Sequence, residues 1–217
     1  MSEQTITVLG IDLGKNSVSL AGLDAAGAVI VRKRTTRDGA IKFTAKLPAC
    51  VVAMEACCGA HFMARIMAIE VLNDELAEVA RRDESARRLA TIPGVGVINA
   101  TALVAAIGDG SAFAKGRDLS AWLGLVPRQH STGGKTKLLG ISKRGNQYLR
   151  RQLIHGARSV LFRLKETQTP IGYWLSSLLG RVHRNVAVVA LASKLARIAW
   201  ALLRHCTDFD RRAFAGA

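Results

Sequence analysis

The chain has 217 residues, 49% of them apolar, which is enough to bury a real core and too apolar for wholesale disorder. Lysine and arginine outnumber aspartate and glutamate by 31 to 16, for a formal charge of +15. That excess argues for a polyanionic partner, nucleic acid being the commonest, over a basic chain with no particular ligand.

In chain order, Thr5 to Asp12 (TITVLGID) is β-branched and apolar and predicts a central strand. Ser17 to Asp24 predicts a second strand, Ala25-Ala26-Gly27 a turn, and Ala28 to Thr35 a third strand. Asp38 is placed to cap a short helix running to about Leu47, and Cys50 to Glu55 predicts a further strand. Strand, strand, strand, helix, strand is the order of the first half of a ribonuclease-H-like fold. Asp12 closes the first of these strands and Glu55 the last. Side by side, the two carboxylates would offer the hard oxygen donors that suit Mg²⁺. The plainer alternative is two unrelated acids, one at a turn and one on the surface.

Ala60 to Leu89 predicts one long helix. Phe62, Ile66, Ile69, Leu76 and Val79 recur at spacings near three and four, with a gap near Asn73. The seam suits either a coiled coil with another chain or a face packed on this chain's own core. From Thr91 the character changes. Ile92 to Ala100 (IPGVGVINA) predicts a turn into an apolar helix, and amides at Gly94 and Gly96 could meet a phosphate as in helix-hairpin-helix modules. An ordinary helix–helix turn has the same pattern. Phe113 to Val126 predicts a helix with Trp122 and Leu123 facing inward, and Pro127 to Gly145 a loop or hairpin. Gln147 to Lys165, Tyr173 to Leu179 and Val186 to Cys206 predict helices, with a frayed tail after Thr207.

The charge is concentrated: Lys115 to Lys165 holds twelve Lys and Arg against one acid, Asp118. Within that stretch Ser131 lies close in sequence to Arg128, Lys135, Lys137, Lys143 and Arg144. A serine hydroxyl attacks phosphorus when it is deprotonated and the phosphate charge is balanced, which cations supply. The alternative is a phosphate-binding loop in which Ser131 only donates a hydrogen bond. On the helix that follows, Arg150, Arg151, Arg158 and Arg163 are placed to track a nucleic-acid backbone while Leu149, Leu153, Leu161 and Leu164 pack inward. His155 reads as structural, and Trp122, Trp174 and Trp200 as core. Cys50, Cys57, Cys58 and Cys206 have no metal-ligand spacing and read as reduced, partly buried thiols of a cytoplasmic protein. No signal sequence is expected at the N-terminus. Lys194, Arg197 and Arg204 share one helical face, so Val186 to Cys206 is expected to pack inside the protein and not to span a membrane.

Three segments carry a resemblance: GIDLGKNSV with MEACCGAHF; LATIPGVGVINATALVAAIGDGSAF continuing into SAWLGLVPRQHSTGGKTKLLGISKRGNQYLR; and NVAVVALASKLARIAWALL. They resemble the DEDD transposases of the insertion-sequence family numbered one hundred and ten, relatives of the Piv and MooV invertases. The resemblance implies a nuclease-like domain with an Asp-Glu-Asp-Asp tetrad and Mg²⁺, and a C-terminal domain whose serine forms a covalent bond to DNA under the direction of a structured guide RNA. Asp12 matches the first acid, Glu55 the second, and Ser131 in HSTGG the nucleophile. The tetrad's second half has no match. Asn73-Asp74 imitates the family's pattern, but Ala77 stands where the fourth acid should fall, so Asp74 reads as a helix-surface acid.

The expected fold class is therefore α/β plus all-α. A truncated RuvC-like (ribonuclease-H-like) domain spans 1–68, a coiled-coil-like helical connector 69–90, and a basic C-terminal transposase domain 91–217. An internal deletion accounts for the missing acids. It implies weak or lost Mg²⁺ binding and severely impaired recombination with DNA binding kept. DNA, guide RNA and further copies of the chain, assembled through the connector, are the expected partners. The alternatives are a non-catalytic DNA- or RNA-binding remnant that inhibits full-length relatives, and a simple Mg²⁺-dependent nuclease.

Overall fold

The computed structural model describes residues 5–57, 59–165 and 168–210. Cys58 and the end of the expected frayed tail lie outside them. The chain divides into two compact units, Met1–Glu75 and Leu76–Ala217, a boundary that falls inside the stretch expected to connect two domains.

The first unit is built on a four-stranded sheet of β1 (Val8–Leu13), β2 (Val18–Leu23), β3 (Val29–Thr35) and β4 (Val51–Met54), in the order β3-β2-β1-β4. The three leading strands are antiparallel neighbours, and β4 lies parallel to β1 after a crossover through α1 (Arg37–Thr44). Alternation along the strands decides the faces. Leu9, Ile11, Val18 and Leu20 are buried and pack with Ala40 of α1 and with Met63 and Met67 of α2 (Ala60–Arg82). The opposite face carries Gly10, Ser19, Ala21 and Ala53, too small to fill the space above the sheet. The cap of α1 is Thr36, whose Oγ1 accepts from the Gly39 amide, and not Asp38, which sits in the first turn. A negative charge there still suits the helix dipole.

The expected single helix to Leu89 is broken. Asp83 ends it by accepting from the Ala86 amide at 2.8 Å and capping α3 (Glu84–Ala90). A short carboxylate that can take a main-chain N–H starts a new helix more readily than it continues an old one. Of the expected seam on α2, Phe62, Ile69 and Val79 are exposed, and so are Val71 and Leu72 beside it.

The second unit is helical: α3, α4 (Val97–Ile107), α5 (Gly116–Trp122), α6 (Gln147–Lys165), α7 (Pro170–Leu179) and α8 (Arg184–His205), with a hairpin of β5 (Pro127–Thr132) and β6 (Lys135–Ile141). α8 is its central element. Leu191, Leu195, Ala199 and Leu202 are buried and join a cluster with Leu89, Leu103, Leu119, Leu153, Leu161 and Leu175. By length and composition α8 is apolar enough to cross a membrane, yet 61% of that stretch is buried inside the unit. The helix expected from Phe113 to Val126 is only seven residues long. Leu123 is buried as expected, but Trp122 is 39% exposed and meets Phe113 edge-on. The chain just after Thr207 is not frayed: the Phe209 amide donates to Thr91 Oγ1 and its ring packs on the core. Cys50 and Cys57 are free and half-buried, whereas Cys206, expected to be partly buried, is exposed and caps α8 in the left-handed conformation.

Candidate functional site

In the first unit Asp12 and Glu55 reach the same cleft. Parallel pairing sets Ile11 beside Met54, which places Asp12 and Glu55 side by side one residue further along. Adjacent strands lie about 4.8 Å apart, close enough for two carboxylates to share a cation. The cleft has a volume of about 630 Å³ and is also lined by Arg32 and Arg34. Register explains why. β3 sets Arg34 beside Ser19, and β1 sets Ser19 beside Asp12; one pair further along, Arg32, Ala21 and Gly10 align in the same way. Cross-strand partners share a face. The small-residue floor is thus walled by carboxylates on one side and guanidiniums on the other. Lys33 also borders the cleft, but its Nζ lies over the Phe43 ring, 5.2 Å from the centroid. Two carboxylates so placed could supply part of the oxygen shell that a hard cation such as Mg²⁺ needs. Among the described residues no group of three or more His, Cys, Asp or Glu is placed to hold a metal. Asp74 is on the helix surface as expected.

In the second unit Ser131 stands on β5, near the tip of the hairpin. The tip is Gly133-Gly134, with φ of 57° and 75°, the pair of left-handed residues that a two-residue hairpin turn needs. Pairing then sorts the side chains. His130 is opposite Lys137 and Thr132 opposite Lys135, so these four share one face; Gln129 and Leu138 share the other with Ser131. Sequence proximity had grouped Ser131 with Lys135 and Lys137, and the period of two puts the hydroxyl on the reverse side of the ribbon. The Gln129 amide donates to Ser131 Oγ at 3.0 Å. All of β5 is exposed.

The root of the hairpin is rigid. Gly124 and Gly145, with φ of 70° and 80°, let two chain segments cross where a Cβ on either would strike the other's backbone. Arg150 fastens this crossing. It was expected on the nucleic-acid surface, but it is buried, and its Nη1 donates to the carbonyls of Leu123 and Arg144. Lys143 and Arg144 flank the crossing with exposed side chains, as does Arg128 on β5. Arg151, Arg158 and Arg163 are exposed on α6 as expected. His155, expected to be structural, is exposed one turn from Arg151, and Phe162 continues the same face with Lys165 and Arg184 over its ring, at 5.1 and 4.6 Å from the centroid. Phe162, Arg184, Arg32 and Arg34 were not singled out by the sequence. Strand register would have found Arg32 and Arg34; nothing local marks Arg184.

The glycine turn is packed on one side. Gly94, at φ 86°, packs on Gly156 of α6, and its carbonyl accepts from Asn99 Nδ2. Its inward face is filled by protein. Gly96 caps α4 with open space beside it.

Residues 86–170 match the family described as Transposase IS116/IS110/IS902 family. The chain is similar to the transposase for insertion sequence element IS1111A of Coxiella burnetii, 44% identical over 78% of this chain and 50% of that protein. It is 49% identical to a probable family 20 transposase of Pseudomonas aeruginosa over 64% of this chain and 41% of the relative. With the transposase for insertion sequence element IS1328 of Yersinia enterocolitica it shares 29% identity over 331 residues, 95% of this chain and 99% of that protein. The chain thus spans half or less of the length of the first two, and is matched to the third along nearly its whole length.

Proposed function

We propose, from the match of residues 86–170 to the IS116/IS110/IS902 transposase family, that the chain is a DNA recombinase of the transposase type, shortened internally. One observation carries the reading. The family match contains the stretch Lys115 to Lys165, whose cations, the buried Arg150 apart, line the start of α5, an exposed hairpin and the outer face of α6, as a phosphate-contacting surface requires.

Ser131 is the proposed nucleophile. Its Oγ forms a bond to a DNA phosphorus as the bond from that phosphorus to the adjoining deoxyribose oxygen breaks. The hydroxyl proton leaves to a base, and the released sugar oxygen takes one up. Lys143, Arg144 and Arg151 hold the strand, and Arg128, Lys135 and Lys137 hold phosphates on the reverse face of the ribbon. Gly96 offers open main chain beside the α4 start.

The strand order β3-β2-β1-β4, with only β4 parallel to β1, supports a ribonuclease-H-like first unit. Asp12 and Glu55 would hold Mg²⁺ there with a substrate phosphate, and the ion would balance charge on that phosphate. Arg32 and Arg34 grip the strand beside it. Internal shortening is supported by the 331-residue match, which a chain of 217 residues spans only by leaving more than a hundred positions unfilled. With two of four acids, metal-dependent cleavage is severely reduced. A guide RNA is a second polyanion for the same basic surface. The exposed apolar seam on α2 suits pairing with another copy of the chain.

A binding role without catalysis is favoured by one observation. The partner of Ser131 Oγ is the Gln129 amide, which cannot take up the hydroxyl proton. Covalent trapping decides between the two. Protein, element-end DNA, candidate guide RNA and Mg²⁺ are combined and run on a denaturing gel beside Ser131→Ala. A Ser131-dependent adduct establishes the recombinase; retained binding without an adduct establishes the binding protein.

A further inference from the structure

α5 and α8 meet along a seam of small and polar residues. Gly116 lies against the main chain of Arg197, where a Cβ would come within 3.1 Å of Arg197 Cα and O. One helical turn along, Ser120 Oγ and Ser193 Oγ are 2.8 Å apart. So close an approach leaves the Arg197 side chain at the edge of the seam, half-buried. Its Nε is shut off from solvent and has no hydrogen-bond partner.

Next to it is a like charge. Burial, and then the guanidinium of Arg117, hold Arg197 below the ordinary arginine range. Arg117 is exposed on the second residue of α5. Among the described residues neither arginine has a carboxylate or carbonyl partner. The nearest acid in sequence, Asp118, is turned back to accept from the Lys115 amide at 3.0 Å. Lys194, one turn before Arg197 on α8, adds a third positive charge deeper in the unit, its Nζ over the Trp174 ring.

Two neighbouring guanidiniums without a counter-ion, one with a buried N–H lacking an acceptor, are costly on both counts. A tetrahedral oxyanion at the outer ends of the two side chains relieves the charge repulsion, because its oxygens accept from two planar forks at once. We propose that Arg117 and Arg197 form a phosphodiester-binding site on the α5–α8 seam, a contact with nucleic acid separate from the hairpin. The site rests on the reading of the chain as a nucleic-acid-binding protein, and adds a second point of attachment on the helical unit. DNA and RNA offer the same phosphodiester, so the chemistry does not choose between them.

The test uses the full chain with fluorescein-labelled mixed-sequence probes: single-stranded DNA, duplex DNA and single-stranded RNA. Affinity is followed by anisotropy across a salt series for wild type, Arg117→Gln, and Arg117→Gln/Arg197→Gln. The double variant is expected to bind at least one probe about tenfold more weakly at fixed salt, with the salt slope reduced by about one. The probe that loses affinity identifies the source. Arg117 is exposed, so Arg117→Gln keeps the fold and must show part of the loss even if the double variant unfolds. Unchanged affinity and slope for all three probes in Arg117→Gln overturn the proposal. Lys135→Gln/Lys137→Gln is run in parallel. Loss there alone refutes the seam site and leaves the hairpin reading standing; loss only in the arginine variants does the reverse.

Discussion

The guanidinium of Arg150 donates to the Leu123 carbonyl at 3.0 Å, and the same Nη1 reaches that of Arg144 at 3.1 Å. One buried cation on α6 therefore ties both ends of the hairpin arm. Arg150→Met keeps the stem and strands two carbonyls. It is expected to cost about 3–6 kcal/mol, since two hydrogen bonds from a charged donor are lost and each is worth about 1.5–3 kcal/mol. Urea denaturation read by circular dichroism measures this. A variant as stable as wild type would mean that the arm does not depend on that link.

Gly94 and Gly156 form a second crossing that tolerates no side chain. A methyl group on Gly156 collides with the Gly94 carbonyl, and both sit in regular or tightly turned chain that cannot easily move. Gly156→Ala is expected to lower stability by about 1–3 kcal/mol, the range for overpacking. Gly94→Ala should do more, because its φ of 86° adds the left-handed cost for an L-residue. Melting temperatures of the two variants check the order.

Much of the architecture was legible. The alternation in β1 and β2, the Gly27 turn and the apolar periods of α4, α6 and α8 are local signals, and the elements formed near the predicted positions. The misreadings share a cause. Arg150 has the spacing of a surface residue, and only the distant crossing of Gly124 and Gly145 gives its guanidinium a place inside. Ser131 is near Lys135 and Lys137 in sequence, but a two-residue turn decides which side each faces. The break at Asp83 hinges on one side chain's hydrogen bond inside an otherwise continuous helical pattern. Arg34 shares a row with Asp12 through strand register, which no local window contains.

The acidic cleft predicts a Mg²⁺ effect that can be read without turnover. Millimolar Mg²⁺ is expected to strengthen binding of single-stranded DNA by a few-fold, and Asp12→Asn to abolish that increment while leaving metal-free binding unchanged. Arg34→Gln should weaken binding with or without the metal, with a shallower salt slope. Isothermal titration in Mg²⁺ and in EDTA separates the two. An Asp12→Asn protein that still responds to Mg²⁺ would place the ion elsewhere.

Lys194 gives the pH dependence. It is 5% exposed, and burial, with the neighbouring charge of Arg197, lowers its pKa from 10.5. Between the lowered folded value and 10.5 the unfolded chain binds more protons than the folded one, so this residue makes stability rise with pH through that window. Below it, the buried ammonium is a standing cost. Lys194→Met is expected to flatten the alkaline rise. The difference between the two unfolding free energies, followed by urea titration from neutral pH to about 10.5, shows it; parallel curves would refute it.

The hairpin that carries Ser131 is a ribbon one backbone thick, with its hydroxyl on one side and Lys135 and Lys137 on the other. It works as a partition. A phosphate lying flat against the lysines is screened by the ribbon from Ser131 Oγ, so whatever the lysines anchor is not what the serine faces. On the proposed function the arm would address two separate strands, or two separate stretches of one, a fixed thickness apart.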